Sequence, residues 1–242
     1  MIWLYSGTPG SGKSLHATKD IISRLTRTKN KDTQFVISNY NLKVKYSDKF
    51  FYMDNSDITP QFLIDFALAF HQLGKENQSL LVIDEASILF NCRDIGAQNR
   101  KEWIQFFQQH RKLGYNVILI CQFDRMLDRQ IRCFIEYEVV HRKLNNAGGW
   151  GIIFTILHIP MFYTIEKWYG ARIKTNQGFM PFSLKASKAY NTFDLFTDAK
   201  VLYQLQSQND KELDEARATA AETVSAFAKH LISLKAPNSY GG

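Results

Sequence analysis

The chain has 242 residues, 45% hydrophobic, 14% aromatic and 22% charged, which suits a globular protein and excludes wholesale disorder. Lys and Arg number 30 against 23 acids, and the net charge of +7 points to an anionic partner: nucleic acid, nucleotide or anionic lipid. Cys92, Cys121 and Cys133 form no C-x-x-C pair and leave an odd one, which excludes a disulfide scaffold and favours a reducing cytosol.

The first predicted element is an apolar strand, Ile2 to Ser6. No basic segment precedes it, so no signal peptide is expected. A Gly-rich turn follows, then a helix over Ser14 to Thr28. Gln34 to Asn39 predicts a second strand, and residues 49–54 a short edge strand. Thr59-Pro60 opens a helix, because Pro fits the first helical turn. Leu80 to Ile83 is a continuous apolar run, as a parallel strand buried on both faces requires.

Arg100 to Leu113 reads as an amphipathic helix ended by Gly114, with Trp103, Phe106, Phe107 and His110 on its core face. Asn116 to Cys121 predicts another buried strand, Asp124 to Ile131 a short helix, and Phe134 to Val140 a further strand. Strands alternating with helices indicate a parallel α/β sheet. Gly148 to Ile165 carries no charged residue, but Gly and Pro break it, so a buried β-hairpin is expected there and not a membrane span. The chain as given reads as soluble. Short strands and turns continue to about residue 182, and residues 210–234, rich in Ala, Glu and Lys, predict one helix. The expected organisation is a core over 1–145, a β-rich extension of the same domain over 146–197 and a helical tail over 198–242.

Gly7-Thr8-Pro9-Gly10-Ser11-Gly12-Lys13-Ser14 fits G-x-x-x-x-G-K-[ST], between a strand and a helix. Backbone N–H groups of such a loop wrap phosphates, and the helix N-terminus behind it favours negative charge. Lys13 is expected on the β- and γ-phosphates and Ser14 on Mg²⁺, with Leu15 completing the phosphate-binding segment of ATP. Asp84 and Glu85 end the apolar strand. Asp84 is expected to serve Mg²⁺ opposite Ser14, and Glu85 to polarise the attacking water. Gln122 ends the next strand and is expected near the γ-phosphate.

Phosphoryl-transfer rings often take an arginine from a neighbouring subunit. Arg93, Arg100, Arg111, Arg129 and Arg132 are available, and Arg132 and Arg111 are preferred for phosphate contact or subunit coupling. His16 reads as a packing or surface residue. Lys43, Lys45 and Lys49, interleaved with Tyr40, Tyr46 and Phe50, read as a solvated edge more than a nucleic-acid contact.

MIWLYSGTPGSGKS, LLVIDEA and FFQQHRKLGYNVILICQ, in that order and spacing, resemble the zonular occludens toxin-like (Zot) family, which includes inner-membrane assembly ATPases of filamentous phages. The resemblance covers about residues 1–200. It implies a P-loop fold of the additional-strand, catalytic-glutamate class, related to DNA-pumping ATPases of the FtsK–HerA type. The sheet would be mainly parallel and flanked by helices, with the β-rich extension and a C-terminal helix added. It also implies a ring, a hexamer, that uses ATP and Mg²⁺ to drive phage DNA export and virion extrusion with other phage assembly proteins. Residues 198–242 depart from the pattern, since filamentous-phage members carry a membrane span after the ATPase domain. The expected place is the host cytoplasm or the cytoplasmic face of the inner membrane, reached only through a segment absent here. A soluble packaging ATPase of a tailless phage, acting with capsid proteins, is the alternative. A nucleotide-dependent scaffold or switch is another, against which Glu85 argues. A small-molecule kinase is disfavoured, because Asp84-Glu85 suits hydrolysis.

Overall fold

The computed structural model describes residues 1–26, 35–43, 49–93, 99–144 and 161–189. All lie in one compact unit, Met1–Asn191; a second unit, Thr192–Gly242, is outside the described residues, and the helix expected over 210–234 with it. Most of the hairpin expected over Gly148 to Ile165 is outside them too.

Eight strands form one sheet: β1 Ile2–Ser6, β2 Phe35–Ser38, β3 Phe50–Tyr52, β4 Ser79–Ile83, β5 Tyr115–Ile120, β6 Tyr137–Lys143, β7 Met161–Trp168 and β8 Ile173–Pro181, in the order β3-β2-β4-β5-β1-β6-β7-β8. Every pairing from β3 to β6 is parallel, while β7 and β8 add an antiparallel edge. Parallel strands need covering on both faces, which explains the apolar runs. Leu81, Val82 and Ile83 of β4 are fully buried, as are Val117 and Leu119 of β5. Each such side chain contributes roughly 1.5–3 kcal/mol.

The helices are α1 Lys13–Thr26, α2 Pro60–Phe70, α3 Arg100–Gln109, α4 Arg129–Arg132 and α5 Leu184–Ala189. One face of the sheet buries Ile2, Leu4, Leu81, Ile83, Val117 and Leu119 with α2 and α3. The other buries Tyr5, Val82, Ile118 and Ile120 with Ala17, Ile21 and Leu25 of α1. Thr59 caps α2, its hydroxyl accepting from the Phe62 amide at 3.2 Å, and Pro60 opens the helix as expected. Trp103, Phe106 and Phe107 of α3 lie in the core, as their spacing requires.

Some boundaries differ from the sequence reading. The segment Asp124 to Ile131 is not one helix. A 3-10 turn, Asp124–Met126, precedes Leu127, which bridges to Asn91. Asp128 then caps α4, its Oδ1 accepting from the Gln130 amide at 2.7 Å. Helix α3 closes at Gln109, and residues 110–114 turn into β5, with the Tyr115 amide donating to the His110 carbonyl at 2.8 Å. Strand β6 starts at Tyr137 because the Ile135 amide still bonds the Arg132 carbonyl at 3.1 Å. No helix of the described residues is long and apolar enough to cross a membrane.

Candidate active site

Strands β1 and β4 do not touch; β5 lies between them. Their carboxyl ends converge on one edge, where open α/β sheets hold ligands. The Gly7 amide donates to the Gln122 carbonyl at 3.1 Å, so the loop after β1 is tied to the end of β5. Gln122 therefore lies beside the loop, with its side chain exposed.

The loop between β1 and α1 needs its glycines. Gly7 has φ +138°, and a Cβ there would sit 2.4 Å from the His141 carbonyl oxygen. Gly12 has φ +91°, and a Cβ would meet Phe162 of β7 at 2.8 Å. Thr8, Pro9 and Gly10 form the exposed crest of the loop, while Ser11 and Leu15 are buried. The Ser11 Oγ has no hydrogen-bond partner among the described residues. Lys13 Nζ folds back and donates to the carbonyls of Gly7 at 2.8 Å and Thr8 at 3.1 Å. Partial burial pushes its pKa down, against the opposing pull of Asp84. An ammonium held only by carbonyl dipoles in this loop suits a phosphate better than its present partners.

The Ser14 hydroxyl donates to Asp84 Oδ2 at 3.0 Å. Burial pushes the Asp84 carboxyl up, only partly countered by the hydrogen bond from Ser14 and that from the Glu85 amide. A desolvated carboxylate beside a hydroxyl is the oxygen donor set of a hard divalent cation, so these residues fit Mg²⁺. Glu85 is exposed and has φ +47°. Left-handed backbone at a residue with a Cβ costs about 1–2 kcal/mol. It turns the carboxylate out of the strand into a cavity of about 1150 Å³, shared with Asn91, Arg93, Phe123 and Arg125.

Of the arginines read from the sequence, Arg93 lines that cavity with Glu85. Arg100 pairs with Asp128 at 2.6 Å. Arg129 is exposed. Arg132 has a buried Nε without a hydrogen-bond partner among the described residues. Its charge adds to the hydrogen bonds of Tyr169 and Arg172 that, against the opposing effect of burial, hold the Asp124 carboxyl low. Arg111 does not lie beside the loop within one chain, and its expected role, phosphate contact or coupling across subunits, concerns a neighbouring copy. Arg111 pairs with Glu136, whose Oε1 accepts from the Ile2 amide at 3.2 Å, at the amino end of the sheet. The length of β1, from Ile2 to Ser6, separates it from the loop of its own chain.

Sequence reasoning missed the support beneath the loop. His141 is buried, and its Nε2 lies 2.8 Å from His16 Nδ1. His141 Nδ1 lies 2.9 Å from the Val139 carbonyl and 3.2 Å from that of Ser6. Nδ1–H must donate to those carbonyls, so Nε2 accepts from His16. Burial, then the charge of His16, pushes the His141 pKa down to about 3. His16 also stacks on Tyr5, 4.9 Å between ring centroids, so the packing role read for it holds. No motif signals His141. Asn39 was missed as well, although a polar residue closing an apolar strand was its signal. Lys45 lies outside the described residues; Lys43 is exposed.

The family model described as zonular occludens toxin (Zot) matches residues 1–174. The Gene 1 protein of Enterobacteria phage I2-2 is 30% identical over 156 residues, which cover 61% of this chain and 41% of that protein. The Gene 1 protein of Salmonella phage IKe is 29% identical with the same coverage. The chain thus spans well under half the length of these curated relatives. The crystal structure of the N-terminal domain of zonular occludens toxin from Neisseria meningitidis shares the fold, with TM-score 0.50, 18% identity, and 78% of this chain and 97% of that one covered. The chain belongs to the Zot family and has a P-loop NTPase fold.

Proposed function

We propose that this member of the Zot family is an ATP-hydrolysing motor that drives phage DNA export and filamentous virion assembly. The observation that carries the reading is the 3.0 Å contact of Ser14 Oγ with Asp84 Oδ2, made across the inserted β5 and beside Lys13. Two motifs 70 residues apart meet where MgATP chemistry needs them.

The loop amides and Lys13 Nζ bind the phosphates, the lysine exchanging two carbonyls for phosphate oxygens. Ser14 and Asp84 would hold Mg²⁺, which would supply charge screening for the transferred phosphate. Glu85 takes a proton from a water molecule as the water oxygen bonds the γ-phosphorus and the bond to the bridging oxygen breaks, giving ADP and phosphate. Gln122 senses the γ-phosphate from the end of β5. Arg132 serves subunit coupling in a ring, a hexamer. Phage DNA is the anionic polymer partner that the net charge of +7 favours. The likeness to Gene 1 proteins of two phages supports a role in phage assembly.

Phosphate release tests the reading. Lys13→Ala should bind ATP poorly and hydrolyse none. Glu85→Gln should bind ATP and lose at least about 100-fold in kcat, the scale of a general base. Wild-type rates in either overturn the assignment. DNA binding should weaken steeply with salt, and no binding at low salt removes the DNA part of the proposal.

A further inference from the structure

Asp84 follows the last residue of β4 without a backbone partner on the β2 side. Strands β2 and β4 pair in register up to Ser38 and Val82, and the Asn39 amide adds one more bond, to the Val82 carbonyl at 3.3 Å. Backbone pairing stops there. The Asn39 side chain takes over. Its Oδ1 accepts from the Asp84 amide at 2.6 Å, and its Nδ2 donates to the Asp84 carbonyl at 2.8 Å. The primary amide thus copies the donor and acceptor of a backbone peptide and extends the ladder by one rung. Asn39 is held in turn, since Nδ2 also donates to Asn55 Oδ1 at 2.8 Å. Both Nδ2 hydrogens and one lone pair of Oδ1 are used, which fixes the amide plane.

The next residue is Glu85, at φ +47°. A left-handed residue with a full side chain persists only where its neighbours fix it on both sides. Here they do. Asn39 holds Asp84 before it, and the Ala86 amide donates to the Ile120 carbonyl at 2.8 Å after it. The Glu85 amide itself donates to Asp84 Oδ1 at 2.9 Å. Of these anchors, the Asn39 clamp alone comes from the β2 side.

We infer that Asn39 is a positioning residue for Glu85: its side-chain amide fixes the Asp84 backbone against the end of β2 and so sets the direction in which the Glu85 carboxylate leaves the end of β4. The inference rests on the reading of Glu85 as the base of ATP hydrolysis. The Asn39 side chain bonds the Asp84 backbone and Asn55 Oδ1, and no hydrogen bond joins it to Lys13, to Ser14 or to the Asp84 carboxylate. It acts on the step that Glu85 performs and not on phosphate binding, which the loop between β1 and α1 provides.

The test is a split between kcat and KM in the full chain, with thermal melting measured alongside. Asn39→Ala removes both bonds to Asp84. It should lower kcat about 10-fold or more, the loss expected when a proton acceptor is misplaced. KM and the affinity for a non-hydrolysable ATP analogue should stay within about twofold, because the loop is untouched. Asn39→Asp keeps the acceptor for the Asp84 amide but sets a carboxylate against its carbonyl, so it should not rescue kcat. Asn55→Ala frees one Nδ2 hydrogen and should give a smaller loss in kcat, which keeps the test open if Asn39→Ala does not fold. Wild-type kcat in Asn39→Ala and Asn55→Ala overturns the inference. So does a parallel loss of kcat and analogue affinity, which marks a merely structural role. If the wild-type chain or Glu85→Gln contradicts hydrolysis by Glu85, the functional reading fails first, and that outcome is distinct from either.

Discussion

The two ends of the parallel strands are built in opposite ways. At the amino end most polar groups close on one another, although the buried His110 Nε2 has no hydrogen-bond partner among the described residues. The N-terminal ammonium donates to Asn116 Oδ1 at 3.1 Å, the Asn116 amide to Asn77 Oδ1 at 2.6 Å, and Arg24 to the same oxygen at 2.8 Å. His71 bridges the Leu113 carbonyl and the Ser79 hydroxyl. At the carboxyl end Lys13 spends its charge on carbonyls, Ser11 Oγ lacks a partner among the described residues, and Glu85 holds a left-handed backbone. Ile88 and Phe123 stay 60% and 57% exposed beside the Glu85 cavity, so apolar surface is left uncovered where the chemistry is proposed. The difference shows where the fold can tolerate cost. Left-handed backbone occurs at both ends, at Asn77 (φ +64°) and Glu85 (φ +47°), but the Asn77 side chain is bonded by Arg24 and Asn116, whereas Glu85 stays exposed toward the cavity.

The largest expected effect follows from breaking the carboxyl end at its tightest point. Gly7→Ala sets a methyl 2.4 Å from the backbone oxygen of His141, which cannot move aside as a flexible side chain would. ATP binding should fall below detection by fluorescent-analogue titration, with stability lowered by about 1–3 kcal/mol for the strained φ. Near-normal affinity would mean that the loop is not held against β6. A smaller effect sharpens the view of what lies beneath the loop. His141 titrates at about 3 in the folded chain and near 6.5 when unfolded, so the unfolded state binds the extra proton on acidification. Its contribution is fully present above about pH 6.5 and is lost toward pH 3, a loss of about 2 kcal/mol by pH 5 at 1.4 kcal/mol per pH unit. Urea midpoints at pH 7 and 5 measure it, and His141→Gln should flatten the slope. An unchanged slope would place the acid sensitivity elsewhere.

The carboxyl end was also the more legible in the sequence. The phosphate-loop motif names its own residues, and Asp84-Glu85 closes a run that only a buried strand explains. The apolar runs gave β4 and β5 to within a residue or two, because burial on both faces leaves few other solutions. Apart from Ser14 with Asp84, which two motifs name, contacts between distant segments were not legible. Nothing local marks His141 as the partner of His16, 125 residues away, or Asn39 as the partner of Asp84. The end of the sheet that Arg111 faces was not legible for the same reason. A cation beside an aromatic-rich helix says nothing of which end of the sheet it faces, and that is decided by the turn at residues 110–114. The break at Leu127 likewise depends on its bridge to Asn91, outside any local pattern.

At the amino end the effects should appear in stability and leave the chemistry alone. The Tyr115 hydroxyl donates to the Leu63 carbonyl at 2.8 Å, and burial of the ring and hydroxyl leaves no water to replace it. Tyr115→Phe should therefore cost about 1–2 kcal/mol and lower the melting temperature, with kcat per folded molecule unchanged. Arg111→Ala should do least. Arg111 is half exposed, and solvent screens its pairing with Glu136, so the loss should lie within about 0–1 kcal/mol. Glu136 keeps the Ile2 amide at 3.2 Å and the N-terminal ammonium at 3.8 Å, so no charge is stranded. Phosphate release by Arg111→Ala, measured at a protein concentration where the wild type is active, should match the wild type within about twofold. A loss of 10-fold or more without a change in melting temperature would bring Arg111 of one subunit to the phosphates of another. The amino end would then belong to the site of its neighbour, and the division between a stabilising end and a chemical end would hold only within one copy of the chain.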